Sequence, residues 1–241
     1  MDPLIDPGEY AALASCTYLN QASLGLIPRT SLEASVRFLT EVAQHGNLRL
    51  SDQAEARVLD GLRTAAAELL GAPVASVAVV GGASEGLGQL AALLSSAGGE
   101  VVLVASDFPS VTYPWLAAHD RVGMRIRWVR DTADHDLTLS LSDAINERTT
   151  VVSVSAVQFA TGSQVDVAAL VARARDVGAR VVVDVTQMAG AAPVAMTQWG
   201  VDALVWILCW LASAACTRSA AAAGCRSETM CPLAEWSPGA R

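Results

Sequence analysis

The sequence contains no lysine: all 16 residues in its Lys+Arg count are arginines. Any mechanism that needs a side-chain primary amine is therefore closed to these 241 residues. Concentrated positive charge is missing too. The formal net charge is −8 and the arginines are scattered, which argues against nucleic acid and against an anionic membrane as partners. The five cysteines, Cys16, Cys209, Cys216, Cys225 and Cys231, form no Cys-x-x-Cys pair, so neither a zinc site nor a disulfide framework is expected. The opening residues, Met1-Asp-Pro-Leu-Ile-Asp-Pro-Gly8, are acidic and proline-containing where a secretory leader would be basic and then apolar. The expectation is a cytoplasmic protein.

What is present is ample for a core, since 52% of the residues are hydrophobic. Residues 1–27 read as an N-terminal lead-in. Leu32, Val36, Leu39 and Val42 recur at helical spacing, which predicts an amphipathic helix over about 29–44, opened by Pro28 and stopped at His45-Gly-Asn. Val58, Leu62, Ala66 and Leu69 predict a second helix over 52–70, ended by Gly71. From Pro73 strands and helices alternate. Strands are expected near 76–80, 100–105, 124–129, 150–155, 180–184 and 203–208, and helices near 84–95, 110–119, 140–146 and 166–178. Such alternation implies an α/β fold, a mostly parallel sheet with helices on both faces.

Four stretches carry candidate chemistry. Val181-Val-Val-Asp-Val-Thr-Gln-Met-Ala-Gly190 opens as a β-branched run of the kind a covered parallel sheet selects, and it leaves Asp184 at the strand's carboxyl end. Ligands of open α/β sheets bind beyond those ends. Asp184 and Gln187 would offer an anionic and a neutral group to a flat polar ring, or Asp184 would simply cap the segment that follows. Val80-Gly-Gly-Ala-Ser-Glu-Gly-Leu-Gly88 places glycines before a helix N-terminus at Ser84, a setting for a phosphate or for a plain capped turn. In Ala105-Ser-Asp-Phe-Pro-Ser-Val-Thr-Tyr-Pro-Trp115, Phe108 falls just past a strand end, where it could lie over a bound ring or fill the top of the core. Val151-Val-Ser-Val-Ser-Ala-Val-Gln-Phe-Ala-Thr-Gly162 is a buried strand leading to a polar turn that contains Gln158.

Taken in order with Tyr18-Leu-Asn-Gln-Ala-Ser-Leu-Gly25, these pieces resemble the class V aminotransferase family over roughly residues 18–205. The family comprises pyridoxal-phosphate-dependent enzymes of fold type I, and includes cysteine desulfurases, kynureninases and isopenicillin-epimerase-like proteins. The resemblance implies the large domain of that fold over 28–205, a pyridoxal 5'-phosphate cofactor, an amino-acid substrate, and dimerisation around the active sites. It implies that Asp184 pairs with the protonated pyridine nitrogen and Gln187 approaches the phenolic oxygen. Ala83, through its amide, and Ser84 match the phosphate cradle. Phe108 matches the stacking position, which is histidine in desulfurases and phenylalanine in kynureninases.

The family pattern then runs from Asp-x-Leu-Val to Ser-Gly-Tyr-Lys-Trp-Leu, whose lysine holds the cofactor covalently and later moves the substrate proton. Here Val201-Asp-Ala-Leu-Val205 agrees and breaks into Trp206-Ile-Leu-Cys-Trp-Leu211, with Cys209 or Trp210 where the lysine belongs. Neither side chain can form the imine. Beyond Leu211 the sequence lacks strand or amphipathic-helix periodicity and is rich in Ala, Cys, Arg and Ser, the composition of a GC-rich coding region read in a shifted frame, so 206–241 is expected to be an aberrant tail with a frameshift near residue 205. The expectation is an inactive, truncated form without the family's C-terminal small domain, holding the cofactor non-covalently if at all. The alternative is a non-catalytic cofactor-binding protein or the dimer partner of an intact relative. The apolar stretch 203–215 has 13 residues, short of the about 20 that span a bilayer, so a buried strand is expected there and no membrane.

Overall fold

The computed structural model describes residues 6–20, 23–49, 51–132 and 134–207. Contacts divide the chain into two compact units. One contains Glu68–Pro73 and the described residues from Gly82 onward; the other contains Val74–Gly81 and the described residues up to Ala67.

The unit from Gly82 onward is built on a five-stranded sheet, all parallel, in the order β2-β1-β3-β4-β5. Its strands are β1 (Glu100–Val104), β2 (Arg125–Val129), β3 (Thr149–Ser155), β4 (Arg180–Asp184) and β5 (Ala203–Val205). Valine dominates the three central strands, and every residue of β1 is buried, as expected of strands covered on both faces. On one face lie α4 (Ala83–Leu94) and α5 (Pro109–Val122), whose Leu87, Ala91, Val111 and Trp115 join Val101, Leu103, Val151, Val182 and Val205 in one core cluster. The alternate residues Val102, Val104, Val152, Val154, Val181 and Val183 are equally buried. Across the other face run α6 (Leu137–Ala144) and α7 (Val167–Asp176), which bury Leu141, Leu170, Val171 and Ala174. A short helix, Met196–Trp199, precedes β5, and Thr197 Oγ1 donates to the Gly71 carbonyl at 2.6 Å.

Local chemistry explains where these elements start and stop. Asp136 accepts hydrogen bonds from the Thr138 and Leu139 amides at the start of α6, and Asp166 accepts one from Ala169 at the start of α7. Gly123 closes α5 in the left-handed conformation, φ 73°. Glu100, buried at the amino end of β1, accepts from Arg127 Nε at 2.8 Å and from Asn146 Nδ2 at 3.0 Å, tying β2 and the loop before β3 to the sheet. The Arg127 guanidinium holds the Glu100 carboxyl below its ordinary range.

In the other unit, α1 (Arg29–His45) forms as its periodicity predicts, with Pro28 as its N-cap. The helix expected over 52–70 is two helices, α2 (Asp52–Arg57) and α3 (Asp60–Leu70), separated at Val58 and Leu59. The strand expected at 76–80 does not form. Val74–Ser76 is a 3-10 turn, and 77–80 pairs with no strand among the described residues. A valine-rich run becomes a strand only where a neighbour accepts its ladder bonds.

Candidate functional site

Because β1, β3 and β4 are adjacent and parallel, the residues following them share one edge of the sheet. The order also turns at β1, with β2 on one side and β3 on the other, and such a switch point opens a crevice at the carboxyl ends.

Asp184 is the last residue of β4, in register with Ser155 of β3 and Val205 of β5. It is buried, and its donors are the Thr186 amide at 2.9 Å and the Thr186 hydroxyl at 3.2 Å, both neutral. Burial therefore dominates and pushes the carboxyl up to about 6, against the lowering pull of the Thr186 bonds and with a contribution from the Asp107 charge. The capping role open from the sequence is real, since the Thr186 amide is held; among the described residues the donors to the carboxylate carry no positive charge. Thr186 Oγ1 also accepts from the Ile207 amide at 3.2 Å, which fastens the chain leaving β5 to the Asp184 turn. Gln187 lies half-buried in that turn.

Ala83 and Ser84 open α4. Their N-cap, Gly82, supplies no side-chain acceptor, and neither does Phe108, the N-cap of α5. The two helix starts converge: Ser84 Oγ lies 2.6 Å from Ser110 Oγ in the first turn of α5. Two uncapped, positively polarised helix ends with two hydroxyls between them suit an anionic group such as a phosphate.

Phe108 is not part of the core. It is 48% exposed, and its ring meets Phe159 edge to face with centroids 5.3 Å apart and planes at 86°. Asp107 beside it is buried and accepts four hydrogen bonds. These come from the Phe108 amide at 2.7 Å, the Ser155 hydroxyl at 2.6 Å, the Ser155 amide at 2.8 Å and Gln158 Nε2 at 3.2 Å. Gln158 lies in this buried network beneath the edge.

All five residues singled out in the sequence thus belong to one unit. Ser84 reaches the Phe108 loop through Ser110, and Asp184 reaches it through Ser155 and Asp107. Cys209 and Trp210, one of which stands in the lysine position, lie outside the described residues. Sequence reasoning missed Ser110, Ser155, Thr186 and Phe159. A signal existed for Ser110 alone, because Pro109 is a helix-opening proline that places the next residue in the first turn. Among the described residues no group of three or more His, Cys, Asp or Glu is arranged to hold a metal, and no helix is long and apolar enough to cross a membrane.

The sequence profile described as Aminotransferase class-V matches residues 17–206, more than half of the chain. A probable cysteine desulfurase of Streptomyces coelicolor is 32% identical over 185 residues, covering 71% of this chain and 44% of its own length. Another probable cysteine desulfurase, from Aeropyrum pernix, is 34% identical over 198 residues, covering 77% and 47%. The chain therefore spans about half the length of the curated relatives it matches. Among solved structures, a C-DES mutant with glycine covalently linked to its PLP cofactor superposes with a TM-score of 0.75 at 22% identity, over 85% of this chain and 56% of the other. That likeness shows the same parallel-sheet fold.

Proposed function

Since the chain belongs to the class V aminotransferase family, whose cofactor is pyridoxal 5'-phosphate, we propose that it is a cofactor-holding member of that family without amino-acid turnover of its own. The observation that carries the reading is Asp184: a carboxylate buried at the carboxyl end of β4, whose donors among the described residues are neutral, on the same edge as two helix starts without a side-chain cap. Asp184 would face the ring nitrogen and keep it protonated, and Gln187 would approach the phenolic oxygen. The Ala83 amide and the Ser84 hydroxyl would take the phosphate, and Phe108 would lie over the ring. Bound in this way, the cofactor supplies an electron sink for an amino-acid substrate. The chain lacks the other half of the machinery. With no lysine it has no side-chain amine to hold the cofactor covalently or to carry the substrate proton.

The test is a titration of the full chain with pyridoxal 5'-phosphate, followed by absorbance. The expected result is saturable binding that dialysis reverses, that Asp184→Ala weakens at least about tenfold, and that yields no product from any amino acid. Borohydride treatment should leave no adduct inside the chain. An adduct mapped to an internal side chain, away from the N-terminal amine, would overturn the reading, as would catalytic turnover.

A second reading concerns assembly. The apolar stripe of α1 stays open, with Leu32, Val36 and Leu39 each more than half exposed, and this supports pairing with a second copy or with an intact relative.

A further inference from the structure

We propose that Asp107 is a positioning residue of the crevice, fixing the Phe108 and Phe159 rings by gripping the backbone of the first and the neighbour of the second. Its effect on cofactor binding rests on the function proposed above; its effect on the rings does not.

The donor set leads to this assignment. Asp107 is buried, and four hydrogen bonds reach its carboxylate from neutral donors. Oδ1 takes the Phe108 amide and the Ser155 hydroxyl; Oδ2 takes the Ser155 amide and Gln158 Nε2. Each oxygen thus faces at least one N–H that cannot reverse its role. An asparagine, the same in shape, would have to aim its own NH2 at one of those N–H groups. Both acceptor oxygens are needed, and only a carboxylate has two.

Gln158 supplies the second observation. It is almost fully buried, and its Nε2 is shared between Asp107 Oδ2 and the Ser155 carbonyl, both at 3.2 Å. Reversing the amide would set its oxygen against two other oxygens, so the orientation is fixed. The consequence is that Gln158 Oε1 is buried and meets no hydrogen-bond partner among the described residues, the cost of turning Nε2 toward the carboxylate. Phe159 follows Gln158 directly, and Phe108 follows Asp107. The carboxylate therefore holds the Phe108 backbone directly and the residue before Phe159 through the Gln158 amide, behind the two rings that meet edge to face.

The chain contains three phenylalanines, Phe38, Phe108 and Phe159, so labelling the full-length protein with 4-fluorophenylalanine gives three fluorine resonances, assignable by Phe→Leu variants. In Asp107→Asn the Phe108 and Phe159 resonances are expected to move or broaden while Phe38 stays put. The dissociation constant for pyridoxal 5'-phosphate should rise about tenfold. Placed in a Phe108→Ala background, Asp107→Asn should change that constant less than about twofold, because its effect runs through the ring. A folded Asp107→Asn variant with an unchanged spectrum overturns the proposal, and so do binding losses that multiply independently. Should Asp107→Asn fail to fold, Gln158→Met is read in the same spectrum: a shift of the Phe159 resonance supports the clamp, and none overturns it. Wild-type protein that binds no cofactor would sink the proposed function, and the cofactor-free spectra would still decide this inference.

Discussion

Asp184 shows how one residue can oppose the stability of the fold that carries it. Its carboxyl is pushed up to about 6, above the ordinary value near 4 that it regains on unfolding, so the folded state prefers the protonated form. The corresponding stability is fully present below about pH 4 and is lost as pH rises to about 6, leaving a deficit of about 3 kcal/mol at neutral pH. Asp184→Asn is therefore expected to raise the urea midpoint of the cofactor-free protein at pH 7.5 and to match wild type at pH 4, while weakening cofactor binding. Equal stabilities at both pH values would contradict this. The position of Asp184 was legible in the sequence, because a valine run ending in an acid locates a strand's carboxyl end. Phe108 was legible as a residue just past a strand, though not as an exposed one. The duties of Asp107, Ser155 and Thr186 were not legible. Ser155 matters because the register sets it opposite Asp184 and within reach of Asp107, and register between β3 and β4 is a property of two segments separated by a helix.

At the level of elements, the sheet was readable because each central strand is a β-branched run bounded by turn residues. The failures were of the complementary kind. Residues 77–80 have strand composition but pair with no strand among the described residues, and the break at Val58 and Leu59 interrupts a run whose spacing alone suggested one helix. Neither fact is local. The amino end of β1 provides a test of what holds the strands together. Glu100 is buried and joined to Arg127 and Asn146, and its carboxyl sits below the ordinary range chiefly because of the Arg127 hydrogen bond. Its contribution therefore runs opposite to that of Asp184: it is present above the unfolded-state value and fades as pH falls. Glu100→Gln keeps the size but removes the charge facing Arg127, and should cost about 2 kcal/mol at pH 7 in urea unfolding. A cost below about 0.5 kcal/mol would show that β2 is held by its ladder bonds alone.

For the whole molecule, the informative surface is α1. A helix with an apolar stripe ordinarily buries it, and here only Ala34 is buried, while Leu32 is 56%, Val36 53%, Leu39 56% and Val42 44% exposed. An open apolar stripe of this kind is a surface that another chain could cover, as proposed above. If the stripe drives association, Leu32→Gln, Val36→Gln and Leu39→Gln together should lower the average mass in sedimentation velocity at micromolar concentration. The melting temperature at concentrations where wild type is monomeric should barely change, because exposed side chains contribute little to the folded monomer. Wild-type protein that sediments as a monomer at all concentrations, or a triple variant that associates as wild type does, would remove α1 from any interface. A triple variant that loses association and cofactor binding together would place the crevice under the control of assembly. Loss of association alone would leave the crevice, with its Asp184, Phe108 and paired helix starts, complete within one chain.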